Sequence, residues 1–295
     1  MGIAAQLIIN GIIAGGIYAL VALGYTMVYG ILRFINFAHG EVFMLGAYLG
    51  WIFNIVLGVN VIVAFVLAML GCAVAGYIIE KIAYKPLRGR GMLPPLITAI
   101  AISLFLQAMA ILVFGAQIRT FRTGEVVRGI TIPFIDAVIT KIQIVIIVVS
   151  VALMVALHFY IKYTKTGKAM RAVADDYETA SIVGINPNKV ISYVFIIGSA
   201  LAAAGGVLVG MEQNLTPTMG VSIGIKSFTA AVVGGIGNIY GALLGGFMIG
   251  LIENIGIWFI PSGYKDAIAF AVLLLFLLFK PTGIFGAKKE EGVRI

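Results

Sequence analysis

No charged side chain interrupts Ile3 to Tyr29, and apolar stretches of comparable length recur to the end of the chain. They fall at 5–30, 37–57, 61–79, 95–114, 141–161, 190–210, 226–258 and 265–279. Roughly 20 apolar residues make a helix long enough to cross a hydrocarbon core of about 30 Å. A helix also satisfies its own backbone polar groups, as lipid demands. The pattern predicts an all-α polytopic membrane protein with about eight transmembrane helices.

The stretch 226–258 departs from this scheme. As one helix it would run about 50 Å, too long for a single crossing. Gly234, Gly235, Gly237 and Asn238 interrupt it. The expectation is a Gly-broken half-helix near 226–238, opened by Lys226, that enters from one side and stops at the glycines. A full helix from Ile239 then returns to the side of entry. One long tilted helix is the alternative. The N-terminal half has a counterpart in Arg33-Phe-Ile-Asn36-Phe-Ala-His39-Gly40-Glu41, where Asn36 and Gly40 stand as Asn238 and Gly241 stand later. Paired, Gly-interrupted segments in two halves of a membrane protein point to a translocation site. Arg33, Asn36, His39, Gly40 and Glu41, with Gly234, Gly235, Gly237 and Asn238, are therefore candidate pathway or gate residues. Backbone groups left free at the glycines are candidate contacts for a zwitterion. Arg33 and Glu41 also suit a plainer role, as the cation at one helix end and the carboxylate at the next helix start.

Composition agrees with the pattern: 61% of residues are hydrophobic and 11% charged. No polar stretch is long enough for a second domain, so residues 1–295 read as one transmembrane unit. The net charge is +8, and its placement decides what it means. Lys81, Lys85, Arg88 and Arg90 sit in one loop. Lys162, Lys165, Lys168, Arg171 and Lys189 sit in loop 162–189. Lys280, Lys288, Lys289 and Arg294 sit in the tail. Basic loops between apolar spans face the cytoplasm, and no basic face apart from the spans suggests nucleic acid. Loop 115–140 must then be external, although it carries Arg119, Arg122 and Arg128 against Glu125 and Asp136. Loop 162–189 and the tail share a side only if an even number of crossings separates them, which the half-helix supplies.

Enzymatic and metal chemistry find little support. Cys72 is the single cysteine, and His39 and His158 have no ligand spacing between them, so no metal site and no cofactor are expected. The first apolar run lacks the basic start of a cleaved signal peptide and reads as a retained helix. Thr166-Gly167-Lys168-Ala169 lacks the upstream glycine and following hydroxyl of a phosphate loop. Gly220-Val-Ser222-Ile-Gly224 matches a nucleophile elbow in letters, but that motif needs a strand before it; it reads as a flexible entry to the half-helix. Glu212 and Glu253 read as lone charges near outer helix ends. Trp51, Trp258 and Tyr264 read as interface anchors.

Within loop 162–189, Asp175-Asp176-Tyr177-Glu178 resembles an acidic capping box, with Asp175 as cap and Glu178 reaching back. Gly184 suits the left-handed position after a helix, and Pro187 forbids continuation. A helix over 176–183 follows. Alone it would not be stable in water, so it must dock, either on this chain's own helix ends or on a cytoplasmic partner.

These residues carry a family resemblance. Glu178-Thr-Ala180-x-x-x-Gly184 resembles the Glu-Ala-Ala-x-x-x-Gly loop by which ABC importer permeases dock on their ATPase, without the later Ile-x-Leu-Pro. Gly24-Tyr-Thr-Met-Val-Tyr-Gly30, Ile35-Asn-Phe-Ala-His-Gly-Glu41, Phe228-Thr-Ala-Ala-Val-Val-Gly-Gly-Ile-Gly237 and Pro281-Thr-Gly283 are similar, in the same order, to the H-type membrane permease subunit of high-affinity branched-chain amino acid ABC importers. The resemblance implies a pore-forming subunit that is not itself an enzyme, set in a bacterial inner membrane with its C-terminus cytoplasmic. Its implied partners are an M-type permease, two cytoplasmic ATPase subunits and a periplasmic substrate-binding protein. Asp175, Asp176, Glu178, Ala180 and Gly184 would couple it to the ATPase. Similar permeases serve other amino acids, urea or short amides. The competing class is a self-sufficient ion-coupled carrier, with Arg33, His39 and Glu41 as its coupling site.

Overall fold

A computed structural model describes residues 2–121, 129–133 and 136–286. Arg122, Glu125, Arg128, Lys288, Lys289 and Arg294, which entered the charge pattern above, lie outside the described residues. The helices are α1 (Gly2–Leu32), α2 (His39–Trp51), α3 (Val61–Ile79), α4 (Leu93–Phe114), α5 (Lys141–Tyr163), α6 (Lys165–Asp175), α7 (Tyr177–Ile182), α8 (Pro187–Glu212), α9 (Met219–Gly234), α10 (Ile239–Gly256) and α11 (Lys265–Phe279). One antiparallel hairpin, β1 (Gly129–Ile132) and β2 (Ala137–Thr140), precedes α5. Among the described residues seven helices are long and apolar enough to cross a membrane. The short α2, extended by a π-helical turn at Ile52–Val56, is the eighth embedded element, and α9 is the half-helix.

Local chemistry sets the ends. The Asn60 side chain accepts from Ile62 N–H to start α3, and a Thr140/Gln143 capping box starts α5. Pro187 stands at the first position of α8, where its missing N–H costs nothing. α4 stops at Gly115, whose φ of 76° few other residues adopt.

α9 starts at Met219, earlier than the charge at Lys226 suggests. Gly220-Val-Ser222-Ile-Gly224 is helical from its first glycine and forms no elbow. The break lies where the glycines place it: α9 ends at Gly234 and α10 begins at Ile239. Loop 162–189 holds a helix that the capping signals did not announce, α6, started by the Thr164 hydroxyl accepting from Gly167 N–H.

α1, α8 and α10 form the centre. In α8, 78% of the apolar window is buried; in α11 only 6% is. The central seams are built from small residues. A Cβ on Gly15 would stand 2.7 Å from the Cα of Phe247, and one on Gly246 would stand 2.5 Å from the Cα of Ala19. α2 packs on α8 the same way, where a Cβ on Gly46 would meet that of Ala203 at 2.7 Å. Lipid tails are as apolar as leucine, so close backbone approach rather than hydrophobic burial holds such helices together. The outer helices keep Leu104, Phe105, Leu112 and Phe279 bare, as suits lipid.

The two ends differ. Arg33 donates to Ala174 O, Arg88 bonds Asn188, and the Asn238 amide donates to Phe285 O. These contacts gather the end of α1, loops 80–92 and 162–189, the α9–α10 break and residues 281–286 at one basic end. Gln6 pairs with Val138 of β2, Gln143 with Glu212, and Arg119 with Leu215 at the other. Described residues of 115–140 therefore lie opposite the basic loops, and 281–286 lies with them.

The α1–α10 seam generates a direct test. A Cβ on Gly250 would meet the Cα of Gly15 at 2.5 Å. Gly250→Leu is expected to part the two helices and destabilise the bundle by about 1–3 kcal/mol, read as a lowered unfolding temperature in detergent. Leu244→Ala, on the exposed side of the same helix, is expected to leave it unchanged.

Candidate functional site

The first interruption is a dip into the bundle. Arg33 takes a left-handed conformation (φ 57°) and turns the chain back after α1. Residues 34–38 then carry it inward, so that α2 begins beside Gly24 rather than at the bundle end. Gly24 lies about 12 Å along α1 from Leu32. The His39 ring occupies the place of a Gly24 side chain, lies close to Gly198 of α8, and meets the Tyr25 ring edge-on at 4.8 Å. Gly40 packs against Gly220 and Gly224 of α9; a Cβ on Gly224 would reach the Cα of Gly40 at 3.0 Å. Glu41 is 1% exposed; its Oε1 accepts from Ser103 at 3.3 Å, and Oε2 faces Gly220 without a bonding partner. His39, Gly40 and Glu41 are thus brought together where α1, α2, α8 and α9 meet. Arg33 is not: it is exposed at the basic end.

Asn36 and Asn238 share a spacing but not a role. Asn36 Oδ1 accepts from Tyr84 at 2.6 Å and caps nothing; α2 follows Ala38 without a side-chain cap. Asn238 caps α10, accepting from Tyr240 N–H at 3.0 Å and Gly241 N–H at 3.1 Å.

The backbone at the glycine break is already engaged. Val233 O and Gly234 O accept from Ile284 N–H and Phe285 N–H, both at 2.9 Å. Gly235 (φ 108°) and Gly283 (φ 73°) lie against each other, and a Cβ on Gly283 would stand 2.5 Å from the Cα of Gly235. Of the backbone groups expected to be free for a zwitterion, the Gly234 carbonyl is closed by Phe285 and the Gly235 carbonyl by Asn238 N–H. The reason is physical: a broken helix inside a bundle must find partners for its orphaned groups.

Sequence reading missed a buried ionic network. Glu253 is fully buried, not a lone interfacial charge. Lys226 Nζ lies 2.5 Å from its Oε1 and 2.6 Å from Asp266, while Tyr18 donates to its Oε2 at 2.8 Å. Lys265 bonds Asn254 at 3.2 Å and lies 3.8 Å from Glu253. α1, α9, α10 and α11 are stitched together at this point. Opposite charges within neighbouring apolar segments find one another, but the sequence does not say which ones meet. A cavity of ≈ 230 Å³ opens beside the network, with Asn10, Gln143, Glu212 and Lys265 in its wall. At the other end Glu80, also fully buried, accepts from Ser192 at 2.8 Å and pairs with Arg88.

The short helix expected over 176–183 forms as α7, with its cap one residue later than expected. Asp175 ends α6, and Asp176 caps α7, accepting from Glu178 N–H at 2.9 Å and Thr179 N–H at 3.0 Å. The Thr179 hydroxyl, rather than Glu178, completes the cap, bonding Asp176 at 2.8 Å. Asp176 wins because its extended backbone (φ −149°) suits a cap. The Thr179 N–H and hydroxyl, with the Glu178 N–H, hold the Asp176 carboxyl below the ordinary aspartate range. At the far end Gly184 N–H donates to Ser181 O and Ile185 N–H to Ala180 O, with Gly184 at φ 89°. That is the paired bonding of a Schellman stop. Ala180 is buried, yet Ile182 is 84% and Val183 69% exposed.

A family described as the permease component of branched-chain amino acid transport systems matches residues 7–277. The chain belongs to this family. The permease is 43% identical to BraD of Pseudomonas aeruginosa, a high-affinity branched-chain amino acid transport system permease protein, over 98% of this chain and 97% of the relative. It is 42% identical to LivH of Escherichia coli K12, similarly described, over the same shares. Among solved structures it resembles PsaBC from Streptococcus pneumoniae in complex with Fab, at a TM-score of 0.53 and 14% identity, covering 92% of this chain and 91% of that one. At that identity the likeness speaks to fold alone. The permease is thus a multi-pass membrane protein.

Glu253→Gln is expected to destabilise the permease by about 3 kcal/mol, because it strips a buried cation of its closest partner. Adding Lys226→Met is expected to restore most of that loss. Thermal unfolding of the single and double variants in detergent checks both.

Proposed function

We propose that this permease is the pore-forming subunit of an ATP-driven importer in a bacterial inner membrane, carrying branched-chain amino acids delivered by a periplasmic binding protein. It pairs with a second, M-type permease, and two cytoplasmic ATPase subunits hydrolyse ATP on their behalf. The basic end, with loop 162–189 and the C-terminal residues, faces the cytoplasm. The observation that carries this reading is α7: a two-turn helix, capped at both ends, that leaves Ile182 and Val183 bare beside basic flanks. Apolar side chains so exposed at an aqueous end call for a partner surface.

In this reading the ATPases push on α7, and the movement passes through α6 and α8 into the bundle. His39, Gly40 and Glu41, with Asn36 behind them, form the polar gate where α2 meets α9. The break at Gly234, Gly235, Gly237 and Asn238 is the corner about which α9 shifts against α10. At the receiving end, Lys265 and Glu212 in the polar cavity suit the two charges of a zwitterion. The binding protein sets which amino acid, or which amide, is delivered.

Gly184→Arg is expected to keep ATP hydrolysis by the assembled importer while uptake falls, because a residue with a Cβ is strained at φ 89° and distorts the stop of α7. Uptake at the wild-type rate would refute the docking role. The depressed Asp176 carboxyl sets a sign for pH. Its cap is present above the ordinary aspartate range and is lost only as pH falls through the lowered native value. Coupling through α7 is therefore expected to be flat between about pH 5 and 8. Asp176→Asn is expected to keep uptake and Asp176→Ala to reduce it, measured in proteoliposomes.

A further inference from the structure

At the basic end a cavity of ≈ 600 Å³ opens between the ends of α1 and α5, the α6 helix, the start of α10 and residues 285–286. Three cations stand in its wall, Arg33, Lys162 and Arg171, against one carboxylate, Asp175. Arg33 reaches only a backbone carbonyl, Ala174 O at 3.3 Å, and Arg171 only Lys162 O at 3.4 Å. Among the described residues no salt bridge engages any of the three. A guanidinium has five donors in a fork that matches a phosphate or carboxylate, so most of this donor capacity is unspent. Arg33 is also held at φ 57°, a conformation that costs a non-glycine residue energy and marks positions where the surroundings over-determine the backbone.

The rim gives the depth. Tyr240 is 58% and Phe285 45% exposed in the cavity wall. Bare aromatic side chains of this kind sit at the headgroup level of a bilayer. The volume equals that of about twenty waters, far more than a single free phosphate fills. Basic pockets between transmembrane helices at that level suit anionic headgroups.

We propose that this cavity binds the phosphate of an anionic lipid from the leaflet on the basic side, with Arg33 and Arg171 as its principal donors and Lys162 at its edge. Because Arg33 and Arg171 reach out from α1 and α6, a bound headgroup ties the end of a central helix to the helix that precedes α7. Lipid composition then sets how firmly the α6–α7 unit is held on the bundle.

The purified full chain, partly delipidated in detergent, tests this by native mass spectrometry with phosphatidylglycerol and phosphatidylcholine as probes. Wild type is expected to retain phosphatidylglycerol preferentially. Arg33→Gln with Arg171→Gln is expected to lower that retention about tenfold or more. Lys85→Gln with Lys168→Gln removes the same charge outside the cavity and is expected to leave retention intact. Lys162→Gln, away from the strained backbone, should lower it on a chain whose helicity by circular dichroism is unchanged. Equal retention of both lipids, or equal loss in the Lys85/Lys168 control, overturns the proposal. Inorganic phosphate binding with the same arginine dependence but no lipid preference also overturns it, assigning the cavity to a free anion.

Discussion

Helices in a bilayer gain nothing by hiding apolar side chains from one another, because the surrounding tails are equally apolar. What they can gain is contact, and contact is closest where side chains are smallest. The centre of this permease is built on that constraint. Gly11 and Gly15 of α1 face Gly250 and Leu251 of α10, Ala19 faces Gly246, and Gly46 faces Ala203. Once α1 is drawn so near α10, and α2 so near α8, there is no room at those contacts for larger residues. The helix α2 can reach its level only because Gly24 and Gly198 make way for the His39 ring. Polar groups then enter the interior as guests of a glycine framework.

This also explains how far the sequence could be read. Spans follow from length and apolarity, which are properties of single segments, so the eight crossings and the half-helix are visible without a structure. The corner between Gly234 and Ile239 was legible because Gly234, Gly235, Gly237 and Asn238 crowd one short stretch of an overlong apolar run, and Gly184 because a left-handed stop suits it there. Pairings were not legible. Nothing local to Glu253 says that Lys226, Asp266 and Tyr18 will surround it, and nothing local to Asn36 says that it will serve Tyr84 rather than cap α2. The Asp175/Asp176 choice turned on one backbone dihedral, which adjacent identical residues cannot signal. α6 was hidden because its apolar face, Met170 and Val173, is narrow and its surface strongly basic.

The two ionic clusters divide the molecule's labour. Glu253 and its partners join α1, α9, α10 and α11 near one end, while Glu80 with Arg88 and Ser192 joins α3's extension to α8 at the other. A buried charge stripped of its partner is far costlier than the intact pair is favourable. Such clusters fix which helices stay side by side more than they add stability. His39, Gly40 and Glu41 belong to neither cluster; they lie where α1, α2, α8 and α9 meet, and one Glu41 carboxylate oxygen has no partner among the described residues.

The chain's last described residues deserve the same reasoning. Ile284 and Phe285 lend their amides to the carbonyls that α9 leaves open, and Asn238 holds Phe285 in return. Two segments distant in sequence thereby complete each other like strands of a clasp. Any displacement of α9 against α10 would have to carry this clasp along or unfasten it, which makes Ile284 and Phe285 a rein on the elbow.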